Sequence, residues 1–289
     1  MAIFDDDAGE EQILPHPSFT RSYRAIWLSD VHLGTKGCKA EFLLDFLRHN
    51  ESEFLYLVGD IVDGWRLRRS WYWTQSHNDV VQKLLRKARK GAQVTYIVGN
   101  HDEWLRDYLG LQAGGITLLN EIEHVTANGK RLLVTHGDRF DGIVRYSKWL
   151  AFLGDWAYSL ALTLNNHFNL IRRKLGYPYW SLSAYLKKRV KNAVQFMGSY
   201  TTVISDEARG RGFDGIVCGH IHHAEIKDMN GILYCNDGDW VESCTALVEH
   251  HDGRLEIVHW VEERALDPLY PHAVTVFSEN AASAGALTY

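Results

Sequence analysis

Carboxylates, imidazoles and one amide recur at five short stretches of this chain, each placed directly after a run of apolar residues. Ser-Asp-Val-His-Leu-Gly occupies 29–34, Gly-Asp-Ile-Val-Asp-Gly 59–64, Gly-Asn-His-Asp 99–102, His-Gly-Asp 136–138 and Gly-His-Ile-His-His 219–223. Such groups are costly to bury without partners, so their concentration asks for something to hold. Asp30, His32, Asp60, Asn100, His136, His220 and His222 together mix carboxylate, amide oxygen and imidazole with no thiolate. That mixture suits Mn, Fe or Zn rather than a cysteine-rich structural zinc site. Seven donors are too many for one tetrahedral ion and about right for two ions that share a carboxylate. Two ions roughly 3.5–4 Å apart can clamp a phosphoryl group and activate a shared water. The alternate residues of Asp30-Val-His32 and His220-Ile-His222 would point to one side of an extended segment, and Gly59 and Gly219 would let backbone approach closely. Singly, each stretch has an ordinary reading: a surface turn, a β-turn, an exposed strand face. The argument rests on all five occurring at strand tips in this order.

The elements that must position these residues follow from the apolar pattern. Short runs at Tyr23–Leu28, Phe54–Val58, Val94–Val98, Arg131–Thr135 and Gly215–Cys218 read as strands, with helical periodicity between them at Phe42–Arg48 and Asn78–Lys90. Residues Ile232–Trp260 read as antiparallel strands with a turn at His251-Asp252-Gly253. In open α/β sheets the ligand crevice lies beyond the carboxyl ends of the strands, so clusters scattered in sequence can converge there. The reading is one α/β domain over 21–265, with an acidic tail at 1–20 and a loose, small-residue tail at 270–289. An insertion at 145–200 has no strand signal. Its 145–191 part carries Arg145, Lys148, Arg172, Arg173, Lys174, Lys187, Lys188, Arg189 and Lys191 against the single acid Asp155, and we expect it to be helical.

Composition bounds the function. The chain has 289 residues, 23% charged and 46% hydrophobic, with a formal net charge of −5. That is ordinary for a soluble globular protein, and it argues against a global field for nucleic acid. Fifteen histidines and ten tryptophans are abundant, consistent with metal and with amphiphilic surfaces. Cysteines 38, 218, 235 and 244 form no Cys-x-x-Cys pair, so the expected compartment is reducing and cytosolic. The N-terminal stretch does not read as a signal peptide. The longest apolar run, Trp149–Leu164, is interrupted by Asp155 and is too short and polar to span a bilayer.

The five linked motifs resemble the calcineurin-like metallophosphoesterase superfamily. The resemblance implies a four-layer α/β/β/α sandwich with a helical lid insertion and a dinuclear site at the strand ends. It implies that Asp30, His32 and His222 hold one divalent cation, that Asn100, His136 and His220 hold the other, and that Asp60 bridges them. Mn²⁺ is the expected ion, with Fe or Zn as alternatives. His101 would reach the phosphate or the leaving oxygen as general acid or transition-state stabiliser, and Asp63 would orient it; a turn-capping role for Asp63 stands beside that reading. Asp102 and Glu103 could support the site or cap the next helix, and Asp138 could support His136.

The surroundings must choose the substrate. Trp65, Arg66, Arg68 and Arg69 follow the bridging motif, close to Trp71, Tyr72 and Trp73. Together with Arg145 and Lys148 they suggest an anionic head group beside an apolar surface; the competing reading buries the aromatics in the core. The basic, Trp-rich insertion suits a membrane interface, or else a subunit interface or a plain cap. Over roughly 23–262, including Asn236-Asp237-Gly238-Asp239-Trp240-Val241-Glu242, the chain resembles the UDP-2,3-diacylglucosamine pyrophosphatase family. The implied substrate is a lipid or lipid-nucleotide, cleaved by a cytoplasmic enzyme peripheral on the inner membrane. His101 stands where the best-known pyrophosphatases have arginine. It suits the alkoxide leaving group of a related bacterial phospholipase C group acting on phosphatidylcholine or similar glycerophospholipids. A soluble nucleotide phosphodiesterase is the further alternative. A non-catalytic scaffold is disfavoured because all seven ligand positions are filled. None of these patterns bears on oligomeric state.

Overall fold

The computed structural model describes residues 20–140 and 200–265. The expected helical insertion and both tails lie outside them, apart from residues 20 and 200.

Two sheets face each other. The first contains β1 (Arg21–Leu28), β2 (Asn50–Val58), β3 (Gln93–Ile97), β4 (Gln112–Ala113), β5 (Ile116–Leu119), β11 (Thr245–Glu249) and β12 (Leu255–His259), in the order β12-β11-β1-β2-β3-β5-β4. The second contains β6 (Glu121–Val125), β7 (Arg131–Thr135), β8 (Gly215–Cys218), β9 (Glu225–Met229) and β10 (Ile232–Asn236), in the order β6-β7-β8-β10-β9. The centre of each sheet is parallel: β1, β2, β3 and β5 in one, β7, β8 and β10 in the other. Antiparallel strands close the edges.

The strand alternation explains the layers. Ala25, Trp27, Tyr56, Val58, Ile97, Leu132, Val134, Val217, Cys235 and Leu247 form a core between the sheets. Ile26, Leu28, Leu55 and Leu57 face the other way and pack with helices α1 (Ala40–His49) and α3 (Gln75–Arg89). Helix α1 buries Ala40, Leu43, Leu44, Phe46 and Leu47, one stripe at helical spacing. Helix α3 starts at Thr74, whose hydroxyl accepts from His77 N, and it buries His77, Val80, Leu84 and Lys87. The buried Lys87 amine is satisfied by Asn50 O at 2.5 Å and Glu51 Oε2 at 2.7 Å. Helix α4, seen across 200–210, covers the outer face of the second sheet through Tyr200, Ile204 and Ala208, against Leu133, Ile216 and Tyr234. The result is the expected α/β/β/α sandwich. A short helix α2 (Gly64–Arg69) leaves the β2 loop, and α5 (Trp260–Ala265) follows β12.

Two expectations change. The stretch from Ile232 is not one antiparallel set: β10 belongs to the second sheet and runs parallel to β8, while β11 and β12 form a hairpin on the edge of the first. Strands β4, β5, β6 and β9 were not anticipated. They are edge or near-edge strands whose residues are largely half-exposed or exposed, so they lack the continuous apolar run of a buried parallel strand.

Candidate metal centre

The five motif loops leave the carboxyl ends of β1, β2, β3, β7 and β8, all central parallel strands. Backbone hydrogen bonds stitch the loops together. Asp30 N donates to Gly59 O at 3.1 Å, His32 N to Asp60 O at 2.9 Å, Gly64 N to His101 O at 3.0 Å and Gly219 N to His136 O at 3.2 Å. The ligand atoms of Asp30, His32 and His222 lie within 4.8 Å of one another, as do those of Asp60, His136 and His220, and those of His32, Asp60 and His101. Asn100 sits between Gly99 and His101, whose N–H donates to Asp60 Oδ1 at 2.8 Å.

The backbone at these positions is unusual. Asp30, His32, Asp60, His220 and His222 have φ of 50°, 53°, 54°, 70° and 54°. Five of the seven non-glycine residues with positive φ among those described are therefore expected metal ligands. Each such residue costs of order 1 kcal/mol or more, and the surroundings must hold it there. This corrects the extended-segment expectation. Left-handed turns, not strand alternation, aim Asp30 and His32 together, and they send His220 and His222 to different clusters. Gly59 and Gly219 do permit close approach: a Cβ at Gly59 would run into the His136 ring, and one at Gly219 into Ser29 and Asp30.

The polar atoms test whether divalent cations fit. One end of each donor is tied to protein, while the other is left over. Asp30 Oδ2 accepts from Ser29 Oγ at 2.6 Å and His220 N at 2.7 Å, whereas Oδ1 is buried with no well-aligned hydrogen bond and faces His222 Nε2, another expected ligand, at 3.0 Å. His136 Nδ1 is 2.8 Å from Val58 O, and its Nε2 is likewise left over. Asn100 Oδ1 is buried without a partner as well. His32 Nδ1 is 3.2 Å from Asp63 Oδ2, while Nε2 faces Asp30 Oδ1 at 3.8 Å and Asp60 Oδ2 at 3.9 Å. Orphaned buried acceptors are costly. Imidazoles fixed through one nitrogen and carboxylates fixed through one oxygen are the way proteins present metal ligands. The set fits two divalent cations on either side of Asp60.

The charges agree. Burial opposes protonation of His32 and His136, but the surrounding carboxylates outweigh it and push both to about 10. Burial also opposes ionisation of Asp30 and Asp60, and the facing histidines more than offset it, holding both carboxyls below the usual range. Negative charge is thus concentrated where cations would sit.

His101 is half-buried, less enclosed than Asp30, Asp60, His136 and His220, while His222 is more open still. His101 Nδ1 is 3.0 Å from Asp63 Oδ2, at an angle short of a good hydrogen bond, and its Nε2 is 3.9 Å from Asp60 Oδ2. Asp63 caps a helix, one of the two roles weighed from the sequence, and lies beside His101. Its Oδ2 faces His32 and His101, and its Oδ1 caps α2 by accepting from Arg66 N at 2.8 Å. Asp102 clamps the loop: it accepts from Gly99 N at 2.6 Å, Ile61 N at 2.9 Å and Tyr96 Oη at 2.6 Å. Asp138 pairs with Arg106 at 2.5 Å. Neither Asp102 nor Asp138 is seen to contact a ligand side chain.

Trp65 tilts over His101, with ring centroids 4.4 Å apart, and donates Nε1 to Glu103 at 3.1 Å. Arg66, Arg68 and Arg69 are solvated on α2, with no ion pair seen among the described residues. Trp71 is 76% exposed, so the core reading of this aromatic run fails for its most prominent member. Arg145 and Lys148 lie outside the described residues. Ser29 and Asp237, which support Asp30 from behind, were missed: a serine before Asp-x-His and an aspartate 208 residues later have no spacing signature.

A family model described as calcineurin-like phosphoesterase matches residues 23–224. The chain is 27% identical to a UDP-2,3-diacylglucosamine hydrolase of Neisseria meningitidis serogroup B, over 75% of this chain and 89% of that protein. It is 24% identical to a UDP-2,3-diacylglucosamine hydrolase of Azotobacter vinelandii, over 70% and 83%. Among solved structures, Yfce, a phosphoesterase from E. coli, is similar at 15% identity and a TM-score of 0.39, covering 81% of this chain and 98% of that one.

Proposed function

The chain belongs to the calcineurin-like phosphoesterase family, and from that premise we propose that it cleaves a phosphoester or pyrophosphate bond in an amphiphilic lipid, in the manner of a UDP-2,3-diacylglucosamine hydrolase. It is a metal-dependent phosphohydrolase. The observation that carries the metal chemistry is the convergence of Asp30 Oδ1, Asn100 Oδ1 and His136 Nε2, buried atoms with no well-aligned hydrogen bond among the described residues, the first and last of which face only other expected ligands, His222 and Asp60. We assign Asp30, His32 and His222 to one cation, Asn100, His136 and His220 to the other, and Asp60 to both, with Mn²⁺ preferred. When bound, the cations supply Lewis acidity to the phosphoryl oxygens and acidify a water for attack.

The chain's own residues do the rest. His101 faces the site through Nε2 while Asp63 lies at Nδ1. With the Asp63 carboxylate beside Nδ1, a protonated His101 would offer the proton on Nε2 to the departing oxygen. Trp65 limits how far the imidazole can swing.

The names of the relatives and the exposed aromatic rim beside His101 support a lipid substrate. Trp65 lies over His101, and Trp71 and Trp104 are exposed on the segments that follow the Asp60 and His101 loops, with arginines interleaved on α2. We place the reaction at the cytoplasmic face of the inner membrane, with the chain bound peripherally. No helix among the described residues is long and apolar enough to cross a bilayer. His101 favours a second reading, a phospholipase C acting on phosphatidylcholine, because an alkoxide needs a proton more than a phosphate does.

The test is incubation of the Mn²⁺-loaded protein with UDP-2,3-diacylglucosamine, phosphatidylcholine and cyclic nucleotides, with products read by mass spectrometry. UMP plus lipid phosphate supports the first reading. Diacylglycerol plus phosphocholine moves the assignment to the second, and turnover of cyclic nucleotides alone would reject a lipid substrate.

A further inference from the structure

Behind Asp30, on the side away from the cluster, lies a carboxylate that the proposed reaction does not use. Asp237 is fully buried, in company with Ser29, Asn236 and Thr245. Its Oδ1 is 2.6 Å from Ser29 Oγ, and the same Ser29 Oγ is 2.6 Å from Asp30 Oδ2. Asp237 Oδ2 has no hydrogen-bond partner among the described residues.

A hydroxyl has one proton to give. Ser29 therefore cannot donate to both carboxylates. If both were ionised, one 2.6 Å contact would be oxygen against oxygen with no proton between, away from solvent; Ser29 Oγ also lies 3.1 Å from Gly238 O, a longer contact than either carboxylate makes. Asp30 Oδ2 also accepts from His220 N, and its other oxygen is aimed at the cation position, so Asp30 is the anion. The extra proton then belongs to Asp237 Oδ1. An ionised Asp237 would also leave one carboxylate oxygen buried and unpaired, which is strongly unfavourable; a neutral acid leaves only a carbonyl oxygen there.

We propose that Asp237, held as the neutral acid, is a positioning residue for the metal centre: it donates to Ser29, Ser29 donates to Asp30 Oδ2, and Asp30 is thereby fixed to present Oδ1 alone to the first cation. Burial raises the Asp237 carboxyl well above the ordinary carboxylate range, in agreement. The backbone is built around the relay. Asp237 N donates to Cys218 O at 3.1 Å, Thr245 Oγ1 donates to Asp237 O at 2.9 Å, and Trp240 N donates to Asp30 O at 3.1 Å. Gly219 leaves room for Ser29 where any Cβ would overlap it. The loop of β10 thus reaches the ligand of β1 through one hydroxyl.

This inference rests on the metal-centre reading above, and the experiment separates the two. Metal-stripped wild type, Asp237→Asn, Asp237→Ala and Ser29→Ala are titrated with Mn²⁺ by calorimetry, and each apo form is melted. An asparagine amide is the isostere of the neutral acid and keeps a donor for Ser29. We expect Asp237→Asn to bind Mn²⁺ within about threefold of wild type, and Asp237→Ala and Ser29→Ala to bind about 10–100-fold more weakly. Infrared difference spectra of apo wild type minus Asp237→Asn at neutral pH should show the C=O stretch of a protonated carboxylic acid. Loss of affinity in a stably folded Asp237→Asn, or absence of that band, overturns the relay while leaving the metal centre in place. Unchanged affinity in Ser29→Ala also overturns it. Wild type that takes up no metal would reject the underlying centre itself. If Asp237→Ala fails to fold, Asp237→Asn and the infrared band still decide.

Discussion

Two neighbouring residues of one loop, Asn100 and His101, separate binding from chemistry. Asn100 ends in a buried acceptor with no protein partner, whereas His101 is partly open and leans on Asp63. His101→Ala should therefore retain two Mn²⁺ per chain by elemental analysis yet lower kcat by about 10²–10⁴-fold, the usual worth of a general acid. Loss of a cation in that variant would make His101 a ligand. Asp60 should behave oppositely, because the proposed assignment gives its carboxylate to both cations. Asp60→Asn should drop metal content below two per chain and reduce kcat by at least about 10²-fold; full occupancy with retained turnover would reject the bridge. That these side chains would be brought together was legible in the sequence because five polar clusters recur at strand tips, although each alone has an ordinary reading. Their conformation was not. Positive φ is normally signalled by glycine, and here it falls on Asp30, His32, Asp60, His220 and His222. The reading of Asp-x-His as an extended pair failed because tertiary hydrogen bonds between loops, which single-residue preference does not encode, impose the turns.

At the scale of elements, what could be read was what is buried on both faces. The five central strands appear within a few residues of where their apolar runs lie, and the turn at 251–253 does join β11 to β12. The assignment of β10 to the other sheet was invisible, since a short apolar strand carries no mark of its partner. Equally invisible was a polar pin between the sheets. His124 of β6 lies between Tyr56 Oη at 2.9 Å and Glu249 Oε2 at 2.8 Å, and Arg24 also donates to Glu249 at 2.7 Å. Burial alone would raise the Glu249 carboxyl, but the bonds from His124, Ala127 N and Arg24 outweigh it and hold it low. A carboxyl lowered by folding adds stability that is fully present above its unfolded pKa of about 4.3 and is lost as pH falls through the folded value. Glu249→Gln should cost about 2 kcal/mol at pH 7, and the gap to wild type should narrow as pH drops from about 5 to 3. Denaturant melts at both pH values check this. A gap that widens on acidification would show that the pin works through shape rather than charge.

The whole molecule brings an acidic chain, of formal net charge −5, to a substrate that carries phosphate. Net charge therefore supplies no global attraction, and recruitment must draw on local features, the basic 145–191 stretch and exposed apolar side chains. The exposed large side chains supply a source. Trp65 and Trp71 come from α2 and the loop after it, while Trp104, Tyr108, Leu109 and Leu111 come from the segment after the His101 loop. Both segments spring from site loops, so a surface they engage would lie against the metal centre. Isolated exposed hydrophobics are ordinary; two such segments flanking one site are a patch of the kind that marks an interaction surface. Trp71 and Leu111 are 76% and 58% exposed, which makes them safe to change without opening the core. Burying them in an acyl boundary is worth roughly 1–2 kcal/mol each. The double variant Trp71→Ala, Leu111→Ala should then lower kcat/KM on lipid presented in vesicles by about tenfold or more, each factor of ten being about 1.4 kcal/mol, while hydrolysis of a small soluble phosphodiester changes much less and the melting temperature holds. Equal loss on both substrates would mean that the rim supports the site rather than the lipid surface. An unchanged lipid rate would move recruitment away from this face altogether.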